Sequence, residues 1–160
     1  VFPSKDQFTS LHERLVDRWA YLARDLPGGR LWVTHHADDL HEDTLTTTYM
    51  RDLAEQAGLE TRGVLIENIG IDAEGRIVDD QDYLITAIFK LYPWEWIVAE
   101  EFGRHIVRRL DSALWIEPIW KMLWSNKAIL PLLWELAPNH PNLLAAGWDS
   151  ASVGRRHVAK

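Results

Sequence analysis

Apolar residues recur at spacings of three and four from Phe8 through Leu11, Leu15, Trp19 and Leu22, which predicts an amphipathic helix over residues 4 to 25. Ser4 and Gln7 form a capping-box pattern at its start, and "LPGG" at 26–29 ends it. "RLWVTHH" at 30–36 then reads as a short buried strand and "ADDLHED" as a loop. A second helix follows over about 44–57, with Leu45, Tyr49, Leu53 and Ala57 on one face and Gly58 as its stop. "RGVLIE" reads as another strand and "DAEGR" as a turn. "YLITAIFKLY" at 83–92 is β-branched, aromatic and nearly continuous in apolarity, the pattern of a strand buried on both faces in a parallel sheet. Residues 94–110 read as helix, "LWIEPIW" as extended or turning, and 126–137 as helix.

This alternation of helix and strand argues for an α/β layer structure. In open α/β sheets, ligands collect beyond the carboxyl ends of parallel strands. "HHADDLHED" follows one strand directly and "KLYPWEW" ends another. If those strands are parallel, both polar clusters open on one edge.

Composition narrows the classes. The 160 residues suffice for one ordinary domain with a core. No apolar run approaches the roughly 18 residues of a membrane span, and no signal peptide is visible, so a membrane role is not expected. With no cysteine, disulfides, thiolate metal sites and cysteine nucleophiles are excluded, and a cytoplasmic setting is expected. A net charge of −7 argues against a broad nucleic-acid surface and favours a cationic partner such as an amine. Nine tryptophans are several times the usual share for this length. Val1 is not an initiator methionine and the chain stops at "RRHVAK", so an excerpt of a longer protein is expected.

Three stretches carry candidate chemistry. "HHADDLHED", 35–43, holds three histidines and four carboxylates. His and Asp/Glu are competent metal ligands, although no fixed zinc spacing is present. An exposed acidic loop with Asp43 capping the next helix is the alternative, preferred for Asp38 and Asp39. A third possibility is that Glu42 and Asp43 receive a substrate's ammonium groups. In "KLYPWEW", Tyr92 and Trp94 read as core. Lys90 and Glu95 require either each other or a ligand. In "SNKAILP", Ser125 or Asn126 can cap a helix whose free N–H groups and Lys127 suit a phosphate. On local features alone, a lysine reaching into solvent is the better account of Lys127. Pro131 is expected to remove one helical hydrogen bond and bend the helix.

Taken together, "FKLYPWEW", "WIEPIWKMLWSNKAILPLLWELAPNHPNLL", "DLAEQAG", "KDQFTSLHERLVDRW" and "HADDLHEDTLTTTYM" resemble the synthetase domain of the glutathionylspermidine synthase family. The resemblance is closest to the short homologues that lack the amidase half, and it runs from about Gln7 to Lys160. It implies a pre-ATP-grasp-like layer of parallel or mixed sheet with flanking helices, with residues 1–160 forming a single α/β segment of an ATP-grasp ligase fold. The implied activity joins a carboxylic acid to an amine through an acyl phosphate, with ATP and Mg2+. Both substrates are small molecules, a peptide-like acid and a polyamine-like amine. Lys127 and Lys160 fall on lysines that contact ATP. Glu42 falls on the acid that handles the polyamine and Asp43 on the one that handles the thiol peptide. Glu95 and Trp96 join the substrate-binding set, Trp96 standing where the glutathione-using enzyme has a threonine that touches its substrate. The resemblance puts the family's metal ligands, in Arg-x-Asp and Glu-x-Asn patterns, upstream of the matched segment and its glycine-rich phosphate loop after Lys160, so both are expected outside this sequence. The isolated chain is therefore expected to be inactive. The competing expectation is a non-catalytic α/β module that binds a partner, or another copy of itself, through its aromatic surface.

Overall fold

The computed structural model describes residues 9–154 and 156–159. The chain forms two compact units, residues 1–118 and 119–160. The first is built on a sheet of four parallel strands, β1 (Arg30–His35), β2 (Glu60–Leu65), β5 (Ala87–Leu91) and β6 (Leu114–Ile116), in the order β2-β1-β5-β6. A small antiparallel pair, β3 (Gly70–Ile71) and β4 (Ile77–Val78), lies between β2 and β5 in sequence. The α/β class and the parallel pairing agree with the sequence pattern.

Strand alternation divides the sheet into two apolar faces. Leu31 and Val33 of β1 and Ala87 of β5 join Trp19, Leu26, Leu53, Ala54 and Leu59 in one core. Helices α1 (Leu11–Leu22) and α2 (Glu42–Gln56) cover that face, with Leu15, Val16, Leu22 and Met50 packed at its margin. Each fully buried leucine or valine contributes about 1.5–3 kcal/mol relative to exposure. Trp32 and Ile88 alternate with these residues, and both are also buried. With both faces covered, β1 and β5 carry the continuous apolarity that marks them in the sequence.

Several details differ from expectation. The predicted capping box of Ser4 and Gln7 lies outside the described residues. In α2 the buried stripe is Thr47, Leu53 and Ala54, whereas Leu45 and Tyr49 are exposed. Thr47 can occupy a core position because its hydroxyl donates to the Asp43 carbonyl at 2.8 Å, so no polar atom is stranded. Residues 94–110 form not one helix but two, α3 (Trp94–Ala99) and α4 (Gly103–Val107), followed by a 3-10 turn at Leu110–Ser112. At Gly103 the chain passes so close to the end of α3 that a Cβ would lie 1.6 Å from the Ile97 carbonyl oxygen. Gly28 and Gly29 adopt φ of +68° and +65°, and Gly58 adopts +91°, which explains the turns predicted at both places.

In the second unit, the helix expected over 126–137 is α6 (Ile129–Leu136), which starts three residues later than expected, and a separate short helix, α5 (Met122–Ser125), precedes it. Pro131 sits in the first turn of α6, where an N–H would have no helical partner in any case. It therefore removes no helical hydrogen bond, contrary to the expectation of a bend.

Candidate functional site

The strand order reverses between β1 and β5. From β1 the chain moves outward to β2, and from β5 it moves outward in the opposite direction to β6. Such a switch point leaves a crevice beyond the carboxyl ends of the two central strands. His36 and Tyr92 are the first residues past those ends, and the pairing of His35 with Leu91 sets them side by side. Their rings stack with centroids 5.8 Å apart and planes 12° apart. Trp96 meets the Tyr92 ring edge-on at 5.4 Å and 75°. The two polar clusters expected on one edge are thus in contact.

The loop after β1 is folded by its own carboxylate. Asp38 accepts hydrogen bonds from the Asp43 N–H at 3.1 Å and from the Thr44 hydroxyl at 3.0 Å. The N-cap position of α2 is His41, and the carboxylate that caps its first turn is that of Asp38, not Asp43. Partial desolvation pushes the Asp38 carboxyl up, but the Thr44 hydroxyl and the N–H groups of Asp43, Thr44 and Glu42 outweigh it and hold the group below the ordinary carboxylate range. His41 takes the left-handed conformation, φ +56°, and turns the chain into α2. Glu42 and Asp43 are consequently the first two residues of that helix, Glu42 exposed and Asp43 half-buried. Acidic side chains in the first turn of a helix are favoured by the helix dipole. His35 is fixed on the α2 side, its ring nitrogens 3.0 Å from the Thr44 hydroxyl and 3.1 Å from the Thr47 hydroxyl. From the 3-10 turn after β2 (Ile66–Asn68), Glu67 accepts the Ala37 N–H at 3.2 Å.

On the β5 side, Lys90 is buried, with Nζ 2.9 Å from the Tyr92 carbonyl oxygen and 4.8 Å from the centre of the Trp94 ring. Tyr92 and Trp94 belong to the core, as expected, and the Trp94 indole donates to the Glu117 carbonyl at 2.9 Å. Tyr92 also presents its hydroxyl to Glu100. Burial foremost, then that hydrogen bond and the charges of Glu100 and Glu67, push the phenol up to about 12. Because α3 buries Trp94 and Ile97, the helical period turns Glu95 and Trp96 outward.

The second unit holds the other candidate. Lys127 is exposed in the turn before α6. The N–H groups of Ala128, Ile129 and Leu130 are taken by Asn126 Oδ1 and the carbonyls of Asn126 and Lys127, and Pro131 has none. The backbone anion site expected there is closed, leaving the lysine side chain alone. Lys160 lies outside the described residues. Among the described residues, no three or more His, Asp or Glu side chains gather as a metal-binding group. No described helix is long and apolar enough to cross a membrane.

Sequence reasoning missed Asp79. Its buried carboxylate accepts from the Trp32 indole at 2.9 Å, Arg62 Nε at 3.1 Å, and the N–H groups of Gln81 and Tyr83 at 3.0 and 2.9 Å. Burial raises this group, but the Trp32 bond, the two backbone bonds and the Arg62 charge lower it further, leaving it below the ordinary range. The cluster clamps the β1–β2 pair beneath the 79–83 loop.

Comparison with known proteins places the whole chain, residues 1–160, within the family model described as glutathionylspermidine synthase preATP-grasp. The chain is 39% identical over 143 residues to a "Putative acid--amine ligase" of Haemophilus influenzae, covering 89% of this chain and 36% of that protein. It is 31% identical over 125 residues to the bifunctional glutathionylspermidine synthetase/amidase of Escherichia coli, covering 64% and 20%. It is 29% identical over 133 residues to the trypanothione synthetase of Crithidia fasciculata, covering 70% and 20%. The chain thus spans little more than a third, or only a fifth, of the length of these relatives.

Proposed function

The chain belongs to the glutathionylspermidine synthase pre-ATP-grasp family, and on that premise we propose that the intact protein is an ATP-dependent carboxylate–amine ligase. The observation that carries this proposal is the contact of the two polar clusters at the sheet's switch point, where His36 stacks on Tyr92 beside the acidic start of α2. Both units are read as one segment of the ligase.

ATP supplies the phosphoryl group that makes the acid reactive, and the amine then displaces phosphate to form the amide. The chain's own residues have simpler tasks. Glu42 holds an ammonium group of the amine and Asp43 the amino group of a peptide-like acid, each by charge-assisted hydrogen bonds. Asp38 positions both by fixing the first turn of α2. Glu95 and Trp96 flank the same crevice. Holding acid and amine together replaces a bimolecular encounter with an oriented one. Lys127 and Lys160 offset phosphate charge. Mg2+ would offset the charge of the phosphates when bound, and no group of three or more His, Asp or Glu side chains gathers among the described residues to hold it.

The test is phosphate release by the intact protein with an acid whose carboxylate oxygens are labelled with heavy oxygen. Activation of the acid moves one labelled oxygen into the released phosphate, and release requires acid and amine together. Unlabelled phosphate, or release indifferent to the substrates across a panel of peptides and polyamines, contradicts the proposal.

The exposed Trp120, Leu123 and Trp124 of the second unit favour a second reading, a non-catalytic docking module. ATP affinity separates the two. Lys127→Ala in the intact protein weakens nucleotide binding if the chain serves a ligase and leaves it unchanged if the chain only docks.

A further inference from the structure

Trp96 is 58% exposed, whereas Trp94, two residues earlier on the same short helix, is 2% exposed. Its ring meets Tyr92 edge-on, and the buried Tyr92 ring stacks on His36, so three aromatic side chains from both sides of the switch point are in contact as one platform of which Trp96 is an exposed part. The two chain segments that carry the platform are acidic. Residues 91–102, "LYPWEWIVAEEF", contain three glutamates and no lysine or arginine. Residues 36–43, "HADDLHED", contain four carboxylates and again no lysine or arginine. Lys90, the nearest cation in sequence, is buried against Trp94. Glu100 and Glu67 both act on the Tyr92 hydroxyl, which places their negative charge at the platform.

An aromatic face in a field of carboxylates suits one kind of guest. The ring quadrupole attracts a cation, the ring area accepts methylene groups, and carboxylates at the margin satisfy ammonium N–H groups. An anionic group placed on the same face is disfavoured by those carboxylates. We propose that the exposed face of Trp96, backed by Tyr92 and His36, seats an alkylammonium segment of the amine substrate, making Trp96 a specificity-determining residue. This rests on the ligase reading for the word "substrate" but not for the binding itself.

Binding of spermidine to the intact protein, measured by titration calorimetry, tests it. Trp96→Ala weakens spermidine binding by about 3- to 30-fold, the range expected for loss of a cation–π contact, and Trp96→Phe recovers most of that loss. Trp96 is largely exposed, so both variants keep the parent's thermal transition. A second comparison removes any doubt about folding. The parent binds butyltrimethylammonium at least about 3-fold more tightly than its neutral carbon isostere, in line with the same contact. Unchanged spermidine affinity in Trp96→Ala, or equal binding of the charged and neutral probes by the parent, overturns the proposal; equal binding points instead to an apolar docking face. The two readings fail separately. Trp96-dependent spermidine binding without labelled phosphate release sinks the ligase and keeps the platform. Labelled release with Trp96-independent binding does the reverse.

Discussion

Replacing Asp79 by asparagine preserves shape and removes charge, and the geometry sets the consequence. One carboxylate oxygen takes the Trp32 indole and Arg62 Nε, and the other takes two backbone N–H groups. An asparagine amide has only one oxygen, so two donors lose their acceptor whichever way it turns. A buried donor left unpaired costs about 1–3 kcal/mol. Trp32 is 1% exposed and has no route to water. The Arg62 side chain is 24% exposed and keeps Gln81 Oε1 at 2.8 Å, so part of its loss is recovered. The expected destabilisation is about 2–4 kcal/mol. Amide hydrogen exchange in the intact protein reads this locally, with protection of β1, β2 and the 77–84 segment falling roughly 30- to 1000-fold. The pH dependence follows from the direction of the shift. Asp79 ionises below its unfolded value of about 4, so its contribution is complete above that pH and disappears as pH falls through the lower folded value. The difference between parent and variant should therefore be constant from pH 7 to about 5 and shrink below about 4. A variant within about 0.5 kcal/mol of the parent at pH 7, the scatter of an ordinary surface change, would refute the reasoning.

Gly103→Ala should destabilise the first unit by about 2–4 kcal/mol, because the new Cβ meets the Ile97 backbone rather than a movable side chain; exchange of the α3 and α4 amides reads the loss, and parent-like protection would contradict it. Tyr92 should ionise near pH 12 rather than the usual 10 or so, visible as the difference in phenolate absorbance between the parent and Tyr92→Phe. Since its folded value is raised, the stability it contributes is complete below about pH 10 and is lost as pH rises through 12; a midpoint near 10 would contradict the burial and the Glu100 contact.

Much of the fold was legible because both faces of the sheet are covered. Continuous apolarity in "RLWVTHH" and "YLITAIFKLY" marked β1 and β5 and implied their parallel pairing, and from that came the shared edge of the two polar clusters. The errors have physical causes. Leu45 and Tyr49 matched a helical period, yet a threonine that bonds back to its own helix filled the core position instead. The break at Gly103 depends on a close backbone approach that a helical period cannot register. Asp79 sits in "VDDQDY", which resembles any solvated acidic loop, and its partners Trp32 and Arg62 lie 47 and 17 residues away. The pattern made Asp43 the expected cap of α2, but the turn at His41 puts Asp43 inside the helix and leaves Asp38 to cap its first turn. The stacking of His36 on Tyr92 could have been inferred, since each is the residue immediately after a central strand.

The central claim is that the carboxyl edge of β1 and β5 receives the two substrates, with the acidic start of α2 sorting amine from acid. The kinetics of Glu42→Gln in the intact protein test it most directly. The amide keeps the size of the side chain and loses the charge-assisted bond to an ammonium, a loss of about 1.5–3 kcal/mol. The KM for the amine should rise by roughly 10- to 150-fold, while the KM for the acid stays within about 3-fold of the parent. An unchanged KM for the amine, or equal rises for both substrates, would contradict the assignment.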